Sequence, residues 1–317
     1  MVNGNVRHLL SFRDLEPLQV LALCHKATEL KKSKPFVEER PLLQKTVALL
    51  FEKPSLRTRV SFEVAVQELG GSITDLANMG RKFGVDEDAA DIARVLSRYV
   101  DGVVVRTFSH TALETLAKKS TVPVINGLTD HEHPCQTLAD LLTIQEKLGQ
   151  MEGVVIGYVG DGNNVCHSLM IAAARMRMEL RVTTPQKYRP SRIVEEMVRA
   201  DADQFGGKVI WTKNPKEAVA GADIVYTDVW ASMGQEKEEG KRRRDFRDFQ
   251  VNGKLMLLAK PNAFFMHCLP AHRGLEVTAD VIDGSQSIVF DQAENRLHIQ
   301  KALLIWLIAG EGMRNEE

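Results

Sequence analysis

The chain has 317 residues, of which 44% are hydrophobic and 26% charged, with a formal net charge of -1. That length suits two domains of roughly 100–200 residues each, and the composition is that of a globular protein. A balanced charge provides no bulk field for nucleic acid or an anionic membrane, so neither partner is expected and any bound anion must be caught by a local group of cations.

Cys24, Cys135, Cys166 and Cys268 are scattered, with no C-x-x-C pair and no zinc-type spacing. The N-terminus lacks the long apolar core of a signal peptide, and no stretch approaches the roughly 20 apolar residues that span a bilayer. A cytoplasmic protein with reduced thiols is expected.

Along the chain, short apolar runs alternate with amphipathic stretches. Residues 16–32 read as a helix with Pro17 in its first turn. A buried strand is predicted at 46–51, a helix at 59–69, a short strand near Ile73 and a helix at 88–99. Then follow a strand at 102–105, a helix near 112–118, a strand at 122–125 and a long helix at 136–148. The second half repeats the scheme, with strands at 154–159, 180–183, 208–211, 224–226, 264–267 and 288–290. Residues 235–248, dense in charge, read as an exposed, mobile loop, and a last helix is predicted at about 295–308.

Alternation of strand and helix implies parallel, doubly wound sheets covered on both faces. The expected fold is α/β, with two doubly wound parallel-sheet domains and a C-terminal helix packing back on the first. The expected boundaries are 1–142, joined by about 295–317, and 143–294. Ligands of such sheets bind beyond the carboxyl ends of the strands.

After the first strand, Ser55-Leu56-Arg57-Thr58-Arg59 opens a helix. A turn at a helix N-terminus, with arginines and hydroxyls, suits phosphate, although a capped helix with solvated arginines is an equal reading of the motif alone. Arg106 follows the strand at 102–105, a position that gives an otherwise ordinary surface cation its weight. His131-Glu132-His133-Pro134-Cys135-Gln136 precedes the long helix, and His133 with Gln136 can polarise a carbonyl there. A metal held by the two histidines lacks a third ligand nearby. Gly160-Asp161-Gly162-Asn163-Asn164-Val165 imitates a dinucleotide fingerprint but lacks its third glycine, and the next strand ends without an acidic residue to hold a ribose. Asn164 suits a small polar substrate better. Asp228, after the strand at 224–226, can pair with an ammonium, and the turn at Ser232-Met233-Gly234 can offer donors to a carboxylate; a turn-capping Asp is the plain alternative. Cys268 stands in the unusual run His267-Cys268-Leu269-Pro270.

Taken together, these segments resemble the aspartate/ornithine carbamoyltransferase family over nearly the whole chain. The carbamoyl phosphate signatures are Ser55-Leu56-Arg57-Thr58-Arg59 and His133-Pro134-Cys135-Gln136. The runs 161–164, 228–236 and 267–270 narrow the resemblance to the ornithine-specific branch. The resemblance implies that Ser55, Leu56, Arg57 and Thr58 cradle phosphate and that Arg106 bridges phosphate and carbonyl. It further implies that His133, Gln136 and Thr58 hold the carbamoyl group and that Arg296 completes the cationic pocket. Asn164, Asp228, Ser232 and Met233 would bind ornithine, with Cys268 and the Leu269 carbonyl beside its δ-amine. Arg106, His133, Asp228 and Cys268 are the catalytic candidates. No cofactor and no metal are implied. Two departures stand out. Leu56 takes the place of a usual threonine, and in the 78–88 loop, which in the family reaches a neighbouring subunit's site, spacing puts Lys82 where a glutamine is common. The family forms trimers, so a homotrimer or a multiple of trimers is expected. Other amines, such as putrescine or an N-acylated ornithine, are alternative acceptors. A non-catalytic binding relative and a nicotinamide-dependent dehydrogenase are the readings from other classes.

Overall fold

The computed structural model describes residues 6–33, 40–76 and 83–310. They divide into two compact units: one of the residues up to Leu142 and from Asn295 on, the other of Thr143–Glu294.

The first unit opens with α1 (Pro17–Lys32), Pro17 standing at its first position, where a missing N–H costs nothing. Then follow β1 (Thr46–Phe51), α2 (Arg57–Glu68), β2 (Ser72–Asp75), α3 (Ala89–Leu96), β3 (Gly102–Arg106), α4 (His110–Lys119), β4 (Val124–Leu128) and α5 (Pro134–Leu148). The strands pair in parallel in the order β2-β1-β3-β4. Every residue of β3 is buried, as a central parallel strand covered on both faces requires. Val103, Val105, Leu113 and Leu116 belong to one core cluster, and each such side chain contributes about 1.5–3 kcal/mol on burial.

The second unit contains β5 (Val155–Val159), α6 (Asn164–Arg175), β6 (Glu179–Thr183), α7 (Arg192–Phe205), β7 (Lys208–Thr212), α8 (Pro215–Val219), β8 (Ile224–Thr227), α9 (Glu239–Asp245), α10 (Gly253–Met256), β9 (Phe264–His267) and α11 (Ala279–Ile282). Its sheet is also parallel, in the order β7-β6-β5-β8-β9.

The last helix, α12 (Val289–Leu304), ends in a π-helical turn over Ile305–Ala309. From Asn295 it packs on the first unit. The buried Lys301 forms an ion pair with Glu68 of α2. A Cβ on Gly102 would lie 2.6 Å from Ile308 Cδ1, so glycine at the start of β3 admits this helix.

Three expectations shift. The apolar triplet 288–290 is not a strand: a single bridge joins Phe265 to Ser287, and α12 starts at Val289, six residues before the expected 295. A run this short reads alike as strand or buried helix start. The charged run 235–248 is not a loop. It folds as short 3-10 turns around α9, held by Glu238–Arg242 and Glu239–Arg243 ion pairs and by buried Phe246 stacked 5.8 Å from Trp230. Its many charges masked those anchors. Helix starts were also placed late: α2 begins at Arg57 and α5 at Pro134, again a proline in a first turn. No helix among the described residues is long and apolar enough to cross a membrane.

Candidate active site

In the first unit the strand order reverses at β1 and β3, where ligands of such sheets bind. After β1, Ser55 Oγ accepts the Thr58 N–H at 3.2 Å and closes the turn into α2. Leu56 stands at the N-cap without a side-chain cap bond, and its side chain is 74% exposed. Leu56 therefore offers an anion its backbone alone, while Ser55 performs the capping. Arg57 is half-buried in the first turn of α2. Arg59 is committed elsewhere, to Asp75 at 2.6 Å.

Arg106 ends β3 and is buried. The pairing shifts beside it: Val105 faces Asn126, but Arg106 faces Leu128, passing over Gly127. Such a bulge re-aims the side chain that follows it. His133 is buried immediately before α5, and Arg296 ties the cluster together. Its Nη1 donates to Gln136 Oε1 at 2.7 Å and its Nη2 to Thr58 Oγ1 at 3.0 Å, while Gln136 Nε2 donates to Asp140 Oδ1 at 2.8 Å. Burial, and then the positive charges of Arg296, Arg106 and Lys53, hold His133 well below the ordinary histidine value. A neutral imidazole among cations suits a polar group attached to an anion, and these same charges repel a metal ion. Cys135, in the same motif, is pushed up to about 12 by burial, which makes it an inert thiol.

The second unit reverses its strand order at β5 and β8. After β5, a Cβ at Gly162 would lie 2.3 Å from Pro190 N and 2.6 Å from Arg189 C. Residues 188–190 thus pack directly against this turn, and glycine at 162 is what admits them. Asn163 caps α6, and its Nδ2 donates to Asp228 Oδ2 at 2.7 Å. Asn164 is buried, with its Oδ1 accepting the Val165 N–H. Asp228 Oδ1 accepts from Cys268 Sγ at 3.0 Å and from the Val229 N–H at 2.8 Å. Two of the catalytic candidates, the Cys268 thiol and the Asp228 carboxylate, are therefore in contact. Ser232 N donates to Gln235 Oε1, closing a short turn that leaves Met233 partly exposed. Leu269 has left-handed backbone, φ 56°, and donates its N–H to His267 Nδ1 at 2.9 Å; His267 Nε2 in turn faces the buried Glu276.

Asp228, His267 and Cys268 offer atoms within 4.8 Å of one another, the arrangement among the described residues that resembles a metal centre most. His267 is engaged on both ring nitrogens, by the Leu269 N–H and by Glu276, and Cys268 is in contact with Asp228. Asp161 is pushed up to about 6 by burial, against the pull of Arg242. Arg242 Nη1 donates both to Asp161 and to the Trp230 carbonyl at 2.8 Å, pinning α9 beside the turn that carries Asp161.

Sequence reasoning did not single out Lys53, Asp140, Asn163, Arg242 or Glu276. Lys53 lies just before the 55–59 run and Asn163 within the 160–165 run, but only three-dimensional contacts reveal their partners. Lys82 lies outside the described residues.

Because the folded protein holds His133 neutral, the unfolded chain takes up a proton near pH 6.5 that the native state refuses. Stability is therefore expected to be full above that pH and to decline as pH falls toward the depressed native value, by up to about 1.4 kcal/mol per pH unit for one proton. His8, His110 and His131 are lowered in the same direction, chiefly by burial. Urea midpoints across this range should show a shallower slope for His133→Gln than for the wild type; equal slopes would remove His133 from the account.

Two family descriptions match the chain. That of the aspartate/ornithine carbamoyltransferase carbamoyl-P binding domain covers residues 7–146, and that of the Asp/Orn binding domain covers residues 152–307. An ornithine carbamoyltransferase of Carboxydothermus hydrogenoformans is 52% identical over 95% of this chain and 97% of its own. One of Pyrococcus furiosus, named as anabolic, is 50% identical over 96% of this chain and 97% of its own. The solved Pyrococcus furiosus ornithine carbamoyltransferase superposes with a TM-score of 0.92, covering 98% of this chain and 100% of that one.

Proposed function

The chain belongs to the aspartate/ornithine carbamoyltransferase family, and from that premise we propose that it transfers the carbamoyl group of carbamoyl phosphate to the δ-amine of L-ornithine. The products are L-citrulline and phosphate, and the use is in arginine synthesis. The observation that carries the reading is the Cys268–Asp228 contact after β9 and β8, a thiol and an acid whose chemistry suits an amine, in a chain whose first unit gathers Arg106, Arg296 and a neutral His133.

The δ-amine nitrogen donates its lone pair to the carbonyl carbon and a C–N bond forms. Charge develops on the carbonyl oxygen, where Arg106, His133 and Thr58 supply hydrogen bonds. The C–O bond to phosphate then breaks, its electron pair leaving with phosphate into Ser55, Leu56, Arg57, Thr58 and Arg296. The amine proton passes toward Cys268 and Asp228, and the Leu269 carbonyl orients the nitrogen. Asn164, Asp228, Ser232 and Met233 hold the amino-acid end. Positioning and electrostatics provide the acceleration, with no covalent enzyme intermediate and no metal or cofactor. The protein works in the cytoplasm as a homotrimer or a multiple of trimers, with Lys82 of the 78–88 loop serving a neighbouring site.

The test offers L-ornithine, putrescine, N-acetylornithine and L-aspartate side by side with carbamoyl phosphate. Turnover is expected with ornithine. Preference for putrescine, which has no carboxylate, would remove the roles given to Ser232 and Met233.

A further inference from the structure

Lys53 follows β1 directly, and its side chain is 4% exposed. A buried lysine is costly unless paired. Its ammonium forms an ion pair with Asp130, after β4, and lies 4.3 Å from the centre of the Phe108 ring, after β3. The Asp130 N–H in turn donates to the Phe108 carbonyl at 3.1 Å. One side chain thus joins the three strand-end segments that carry the anion-site residues: Ser55 to Thr58 after β1, Arg106 on β3, and His133 with Gln136 after β4.

We propose that Lys53 is a positioning residue for carbamoyl phosphate, its ammonium clasped by Asp130 and Phe108 so that these three segments keep the spacing the substrate needs. This rests on the reaction proposed above. Lys53 also adds a positive charge behind the phosphate site. The charged groups facing it are Asp130, Arg106 and Glu52, and those facing His133 are Arg296, Arg106 and Lys53. A flexible point charge held on two sides differs from the exposed lysine that is usual for this residue type. Asp130 is 61% exposed, so the clasp can be opened from its solvent side without excavating the interior.

The experiment measures binding of carbamoyl phosphate, and of inorganic phosphate as a second probe, by calorimetry on the wild type, Lys53→Met, Lys53→Arg and Asp130→Asn, alongside steady-state kinetics. Misplacing a binding group costs roughly tenfold to a hundredfold. Lys53→Met is therefore expected to weaken carbamoyl phosphate binding at least about tenfold. Lys53→Arg should recover most of the loss, Asp130→Asn should fall between them, and the KM for ornithine should stay unchanged. The His133 imidazole, followed by NMR, should titrate at higher pH in Lys53→Met and stay low in Lys53→Arg, a signature that a purely structural role would not give. Wild-type affinity in Lys53→Met, or no recovery with arginine, overturns the proposal. If Lys53→Met fails to fold, unchanged affinity in Asp130→Asn overturns it. A wild type that binds carbamoyl phosphate but carbamoylates no ornithine defeats the proposed reaction while leaving the comparison of affinities to decide on Lys53.

Discussion

Replacing Arg106 with methionine is expected to lower kcat roughly 10²- to 10³-fold, the loss seen when one preorganised donor to a developing oxyanion is removed. Arg106 is buried at the end of β3, and the shift of pairing beside Gly127 sets its direction. Methionine fills much of the same space, so the deficit reports charge rather than a cavity. The KM for carbamoyl phosphate should rise as well, because the proposed reaction has the same guanidinium serve the phosphate. The change also removes one of the three charges that keep His133 neutral, so the imidazole should titrate at higher pH. Steady-state kinetics with thermal melts checks all of this. Wild-type kcat in a folded Arg106→Met variant would exclude Arg106 from the reaction.

The second large effect is expected for Asp228→Asn, and it falls on the other substrate. Asp228 accepts three hydrogen bonds, from Asn163, Cys268 and Val229. The amide replaces one acceptor oxygen with an NH2 group, which must face either the Asn163 amide or the Cys268 thiol, donor against donor. It also removes the charge that, in the proposed reaction, pairs with an ammonium. A hydrogen bond to a charged group contributes about 1.5–3 kcal/mol, so kcat/KM for ornithine should fall roughly 10- to 150-fold or more. Carbamoyl phosphate binding, measured by calorimetry, should stay unchanged. Equal losses for both substrates would point instead to damage of the fold.

What the sequence made legible was contiguous. The strand predicted at 102–105 reads as buried because its apolar residues are consecutive, and the turn into α2 reads as one because Ser55 to Thr58 lie side by side before a helix. Contacts between distant residues were not legible. Thr58 meets Arg296 across 238 positions and Lys53 meets Asp130 across 77, and no local pattern records either partner. Arg296 was anticipated by family resemblance, Lys53 was not. The 235–248 segment misled for a different reason: its charges satisfy one another along the helix surface while Arg242 and Phe246 turn inward. The 288–290 triplet misled because three apolar residues carry no period.

The account stands or falls on the pairing of ornithine with carbamoyl phosphate. The measurement that tests it most directly mixes purified protein with both and follows citrulline and phosphate together. The account predicts equal amounts of the two products, formed only when ornithine is present. Phosphate released without citrulline, or citrulline absent at saturating concentrations of both substrates, would contradict it.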